Sequence, residues 1–413
     1  MKARPRSSGG ATAAFIGFLV RSYPRETLRT SVLITLSTLA EALGVMTIVP
    51  TLHAAAYGEQ APGADNVFGR SVATLLASVG LPVTLLTLVP IVVVCMIGKG
   101  LFQWLAWRAG GHAMARIATD LRLRLVGNLF AARWPFFVQQ PLGALATAVG
   151  HESYATAHAY LATCQLFASA SLALVYVLVI AVVSLPALPL TLLIGVALAA
   201  PVAIILRRVR TIAAGDARAQ QSVVTNLLNA IGSIKPIRAM GGEEGFAALA
   251  RADADVLRSS IARQVSMTYL MPAAQEPILV VGIAIFLAAS SYFVQDFPTM
   301  AVIVFALWRC GAHLTFANRA YRELVVAEPH YWQLQKMLDA SHEARESEGS
   351  GGEVPGGPLA IDLRDVVFAH GAERILDGLS MHVPAGSITA IVGESGVGKT
   401  TVIDLLSMLY QPT

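Results

Sequence analysis

The chain has 413 residues, of which 55% are hydrophobic and only 14% charged, against about 25% charged in an ordinary globular protein. So little charge excludes an ordinary soluble fold and points to a chain solvated by lipid. The net charge of +4 and pI near 9.0 are those of basic loops beside a membrane, and no nucleic-acid partner is expected.

Residues 1–31 hold six Lys or Arg against Glu26. Ala11 to Val20 is an apolar run of signal-peptide length, but the charged segment Arg21 to Arg29 follows it without a small-residue cleavage site. An interfacial helix on the inner leaflet is predicted here, held by Lys2, Arg4, Arg6 and Arg21.

Six stretches then approach or exceed the roughly 20 apolar residues needed to cross a bilayer core. They are Val32 to Ala56, Leu81 to Trp104, Leu161 to Ser184, Leu188 to Leu206, Ala274 to Val294 and Thr299 to Phe316. Leu185, Pro186 and Ala187 separate the third from the fourth, which predicts a hairpin. Basic residues concentrate in 1–31, 108–158 and 207–270, whereas the intervening connections hold Arg70 against Glu59, Asp65 and Asp296. Because Lys and Arg favour the cytoplasmic side, both termini are expected in the cytoplasm.

The two long cytoplasmic connections read as helix. Leu121, Leu125, Leu129 and Phe130 recur at helical spacing among Asp120, Arg122 and Arg124, which predicts membrane helices prolonged into the cytosol and joined in pairs by short crossing helices. Pro50, Pro90 and Pro201 are expected to kink their helices. Cys95, Cys164 and Cys310 lie in apolar stretches without a CxxC pair or metal-ligand spacing, so they read as small hydrophobes.

Ionisable residues inside spans are costly and suggest function. Glu41, Lys99, Glu276, Arg309 and His313 are the candidates, with Glu41 and Arg309 the first choices for a substrate pathway. The competing reading has Lys99 and Glu276 snorkelling to an interface and Arg309 packing helices. Trp104, Trp107, Tyr292, Phe293 and Phe297 read as interface anchors.

A polar helical run, Arg319 to Ala340, closes a membrane domain of residues 32–340. Residues 341–358 turn rich in Gly, Glu and Ser and predict a flexible linker. From residue 359 the pattern is that of strands, at Leu359 to Leu363, Val366 to Phe368 and Leu379 to Val383. Ser387 to Val392 (SITAIV) reads as a buried strand. It runs into Gly393, Glu394, Ser395, Gly396, Val397, Gly398, Lys399 and Thr400, and an apolar helix, Thr401 to Leu409, follows. This is G-x-x-x-x-G-K-[ST] between strand and helix, the context a P-loop requires. The glycines free the backbone to converge its N–H groups on phosphate, and the helix adds its positive end. Lys399 would reach the β and γ phosphates of ATP, and the Thr400 hydroxyl would coordinate Mg²⁺.

Six spans with long cytoplasmic connections, a linker and then this P-loop resemble a half-transporter of the ABC exporter family. Thr119 to Arg124 (TDLRLR) and Phe136 to Gly143 (FFVQQPLG) resemble the family's first coupling region, Leu228 to Met240 (LNAIGSIKPIRAM) its second, and Val383 to Gly386 (VPAG) the turn before the P-loop strand. The resemblance covers nearly the whole chain. It implies an α-helical polytopic membrane domain followed by the N-terminal part of an α/β P-loop nucleotide-binding domain, residues 359–413. It further implies ATP and Mg²⁺ as cofactors, with Thr401 added to the nucleotide-binding loop. A second half-transporter is implied as partner in a homo- or heterodimer, and a bacterial inner membrane as location.

By position, the family's adenine-stacking aromatic corresponds to His370, after Phe368, and an imidazole stacks more weakly than a Tyr. The sequence stops at Thr413, thirteen residues after Thr400. The Gln loop, LSGGQ-type signature, Walker B carboxylates and switch His of the family are therefore not in it, and hydrolysis by this stretch alone is not expected. Two functions stay open: an ATP-driven exporter or flippase subunit, and a non-catalytic membrane protein that at most binds nucleotide or dimerises with an intact half-transporter. A membrane-anchored P-loop enzyme that is not a transporter would have no use for two coupling-like loops.

Overall fold

The computed structural model describes residues 8–57, 74, 82, 84–198, 222–290, 297–346, 356–371 and 373–412. Arg70, Pro201, Tyr292 and Phe293, and the far ends of the second, fourth and fifth predicted spans, lie outside them. So do Lys2, Arg4, Arg6 and residues 347–355 of the predicted linker.

Helix α1 (Ser8–Ser22) and α2 (Pro24–Tyr57) are divided at Tyr23, where Pro24 takes the helix start that needs no N–H donor. Helix α3 (Leu85–Phe130) is followed by a short crossing helix, α4 (Trp134–Gln139), and by α5 (Leu142–Val183), which contains one π-helical turn, Ala148–Glu152. A π turn leaves carbonyls without their usual partners. Here Arg122 on α3 supplies them, donating from Nε to the Val149 carbonyl at 3.1 Å and from Nη2 to the Gly150 carbonyl at 3.3 Å.

After α6 (Leu185–Leu198) come α7 (Ser222–Gly232), the second crossing helix α8 (Ile234–Ala239), α9 (Glu243–Ser290) and α10 (Phe297–Glu343). Among the described residues, five helices are long and apolar enough to cross a membrane, within α2, α3, α5, α9 and α10, and α6 is a shorter apolar helix at the place of the predicted fourth span. Pro50 and Pro90 lie inside unbroken helices. Thr30, Thr38 and Thr47 each return their hydroxyl proton to the carbonyl one turn earlier, which satisfies a polar group where no water is at hand. On α3, Leu86, Val94, Ile97 and Leu101 are exposed, an arrangement suited to lipid rather than water.

Two buried clusters hold these helices together. One gathers Ile117, Leu121 and Leu125 of α3, Leu145 and Tyr160 of α5, and Leu324, Tyr331 and Leu334 of α10. The other gathers Val45, Tyr176, Ile180, Ile194, Phe286, Ile303 and Leu307. Helix α1 joins the first cluster. Its Phe15 and Leu19 are fully buried, Phe15 stacks on Tyr331 at 4.7 Å, and Thr12 donates to Glu328 at 2.7 Å. Its apolar face is thus taken up by α10 rather than by the leaflet surface that its composition suggested.

Helices α5 and α7 are brought together by a glycine. A Cβ at Gly143 would press on the Cα of Thr225 in α7 and stand 2.5 Å from its Oγ1, so only hydrogen fits. Gly143→Ala is expected to cost about 1–3 kcal/mol through overpacking against backbone, read as a lower midpoint of thermal denaturation of the purified protein.

Helix α10 does not stop at Ala340. It runs to Glu343, with Ser341 fully buried. Beyond it Arg345 forms a β-bridge with Ala132, reinforced by the Arg133 N–H donating to the Ala344 carbonyl at 2.9 Å and the Glu346 N–H to the Ala131 carbonyl at 2.9 Å. The first residues of the predicted linker are therefore pinned to the α3–α4 turn, because backbone pairing overrides their composition.

The soluble segment opens with an antiparallel hairpin, β1 (Ile361–His370) and β2 (Glu373–Val383), which absorbs the three predicted strands. On its exposed face His382 lies 2.5 Å from Asp362, and this hydrogen bond holds the Asp362 carboxyl below its ordinary range. The other face packs Val366, Phe368 and Leu376 against Val402 and Leu405 of α11 (Lys399–Leu406). Ser387 to Val392, predicted as a buried strand, forms no ladder. Ile388 and Val392 are 103% and 87% exposed, because a strand needs a neighbour to bond to, and among the described residues the one sheet is β1 with β2.

Candidate functional site

The P-loop folds as its spacing predicts. Gly396 and Gly398 hold φ of 89° and 96°, the left-handed region that only glycine enters without strain. A Cβ on Gly398 would also come 3.1 Å from both Ile375 and Leu376 of β2. Gly398 is the N-cap residue of α11, and its carbonyl accepts the Val402 N–H at 3.0 Å. Lys399 arches back across the loop, its Nζ donating to the carbonyls of Gly393 at 2.9 Å and Glu394 at 2.5 Å. Thr400 and Thr401 follow in the first helical turn. Glu394, Ser395 and Val397 complete the exposed loop between them. Glycines without Cβ, an ammonium over the loop, and an exposed hydroxyl at a helix start form a donor set that fits a triphosphate with its Mg²⁺.

His370 closes β1 beside an aromatic corner that includes a residue not singled out from sequence. Its ring meets Phe368 at 5.5 Å and stands edge-on to Tyr410 at 5.2 Å. Tyr410 follows α11, and only the packing of that helix on the hairpin reveals the pairing.

The ionisable residues of the spans converge. Glu41 of α2, 1% exposed, is met by Lys99 of α3 at 2.8 Å and by the Arg309 guanidinium of α10 through a single close contact from Nη2. Tyr176 of α5 donates its hydroxyl to Glu41 at 2.5 Å and accepts from Arg309 Nε at 3.1 Å. His313 stacks on Tyr176 at 5.7 Å, its Nε2 3.9 Å from Glu41. Lys99 therefore does not snorkel to an interface, because a buried carboxylate outcompetes the distant headgroups. Glu276 is exposed on α9, away from these helices' shared interior. Tyr176 went unnoticed in the sequence, although a Tyr in the middle of an apolar span must place its hydroxyl somewhere. Trp104 and Trp107 are both exposed on α3. The three cysteines are free thiols, Cys310 buried and the other two half-buried.

Comparison with known proteins agrees with this geometry. Residues 60–308, more than half of the chain, match the family model described as ABC transporter transmembrane region, and residues 376–413 match the model described as ABC transporter. The heterocyst differentiation ATP-binding protein HepA of Nostoc sp. is 23% identical over 303 residues, covering 73% of this chain and 50% of HepA. The mycobactin import ATP-binding/permease protein IrtB of Mycolicibacterium thermoresistibile is 47% identical over 57 residues, 14% of this chain and 10% of that protein. The chain thus spans about half the length of HepA. A solved structure of a bacterial Atm1-family ABC exporter with ATP bound shares the fold, with a TM-score of 0.69 at 17% identity over 94% of this chain and 67% of that one. The chain belongs to the ABC transporter family, as an exporter-type helical membrane region joined to the start of an ATP-binding domain.

Proposed function

We propose that the chain is the membrane region and opening nucleotide-binding segment of an ATP-driven exporter or flippase that works as a dimer of half-transporters in a bacterial inner membrane, both ends of this segment cytoplasmic. The observation that carries the reading is the P-loop conformation, with left-handed Gly396 and Gly398 and the Lys399 ammonium drawn over the loop. Bound ATP supplies the free energy of phosphoryl transfer. Lys399 holds the β and γ phosphates, the glycine backbone of the loop cradles them, Thr400 holds Mg²⁺, and Thr401 extends the contact along the first turn of α11. His370, with Tyr410 beside it, offers the adenine a stacking surface. Helices α4 and α8 carry movement of this domain to the spans that they join. Glu41 and Arg309 stand on the substrate pathway.

The test is binding and turnover of MgATP by the purified protein in nanodiscs. Saturable binding that weakens on removal of Mg²⁺ supports the reading, and absence of saturable binding would sink it. Binding without vanadate-sensitive turnover favours the non-catalytic alternative for this chain.

A further inference from the structure

Between α2, α3, α5 and α10 lies a cavity of about 480 Å³, within the range of roughly 300–1,000 Å³ typical of small-molecule sites. Its relation to the buried charges is regular. Ser37, Gln103, Leu172 and His313 line it, and each stands one helical turn from a member of the charged group: Glu41, Lys99, Tyr176 and Arg309 in that order. Helices α2 and α5 run away from the crossing helices, whereas α3 and α10 run toward them. All four steps therefore point the same way, and the charges close the end of the cavity remote from the crossing helices, about 6 Å beyond those lining residues.

The charges at that end do not balance. One carboxylate, Glu41, faces two basic side chains, Lys99 and Arg309. A surplus positive charge in the interior of a membrane protein is costly unless an anion meets it. His313 adds a second observation. It is 8% exposed, it lines the cavity, and its Nε2, 3.9 Å from Glu41, lies beyond hydrogen-bond distance of that carboxylate.

We propose that this cavity binds an amphipathic anion, its carboxylate or phosphate head toward Lys99, Arg309 and His313 and its apolar chain along the helices toward Trp107. A neutral ligand of the same shape gains the walls but leaves the charge unmet, and a cation is repelled. The inference rests on the exporter reading only for whether the ligand is cargo. Binding is measured without nucleotide, so failure of ATP-driven transport and failure of this site are read separately.

The experiment is a native mass-spectrometric titration of the detergent-solubilised chain with dodecanoate, dodecyl phosphate and dodecanol. Expected are one dodecanoate per chain, displacement by dodecyl phosphate, and binding of both anions at least about tenfold tighter than dodecanol, a gap of roughly 1.4 kcal/mol. Whichever anion binds tighter identifies the head group. Arg309→Gln removes the surplus charge and is expected to erase the preference for the anions over dodecanol. Ala168→Phe, which fills the cavity from α5, is expected to weaken all three without changing charge. Equal binding of dodecanol and dodecanoate to the unaltered protein, or dodecanoate binding indifferent to Ala168→Phe, would overturn the proposal.

Discussion

Lys399→Ala is expected to lower the affinity for MgATP by roughly ten- to hundredfold. Hydrogen bonds to a charged group contribute about 1.5–3 kcal/mol each, and roughly 1.4 kcal/mol is a factor of ten. The Nζ already lies at the loop, hydrogen-bonded to the Gly393 and Glu394 carbonyls. Engaging a phosphate therefore exchanges two neutral acceptors for an ionised one, with little reordering of the side chain. Lys399→Arg separates charge from shape, since its planar fork does not fit a position built for a point charge, and it should recover only part of the affinity. Titration with a fluorescent ATP analogue reads both variants. Unchanged affinity in Lys399→Ala would remove the lysine from the phosphate site.

Glu41→Ala is expected to destabilise the membrane region by about 3–5 kcal/mol, because removing one partner of a buried ion pair leaves the others uncompensated. Lys99 and Arg309 both lose their carboxylate, and the Tyr176 hydroxyl loses its acceptor. Four helices meet at that point, so the loss is felt across the bundle. The triple change Glu41→Leu, Lys99→Met and Arg309→Met removes every charge at once and should restore most of the stability, as apolar replacement of complete buried pairs does elsewhere. Thermal denaturation in detergent distinguishes the two. A Glu41→Ala protein as stable as the parent would show that water or lipid headgroups reach the cations.

Much of this was legible in sequence because its causes are local. Apolar length betrays a span, and the P-loop betrays itself because each of its residues has a distinct steric or ionic task. Glu41, Lys99, Arg309 and His313 could each be picked out as expensive in lipid, yet their meeting could not. It depends on the rotation of four helices separated by up to 268 positions in the chain, and nothing in a span's own composition fixes that angle. The burial of Phe15 and Leu19 was hidden for the same reason, since an amphipathic helix reads alike whether lipid or another helix covers it. Gly143 ends a segment that the resemblance marked, but its contact with Thr225, in the other cytoplasmic connection, carried no signal. The segment Ser387 to Val392 fails in the opposite sense. Its β-forming residues are plain, and what makes a strand of them is a neighbour that local preference cannot supply.

The pairing of residues 344–346 with residues 131–133 sets the length of a leash. Counted from the end of the polar helical run at Ala340, twenty-one residue-to-residue steps lead from the membrane region to Ile361, a reach of up to about 76 Å at full extension. Counted from Glu346, where the last of those hydrogen bonds is made, fifteen steps remain, and the reach falls to about 54 Å. The hairpin and P-loop are thus tethered from the α3–α4 turn itself, so tension on that tether is delivered to the root of the first crossing helix before it reaches any span.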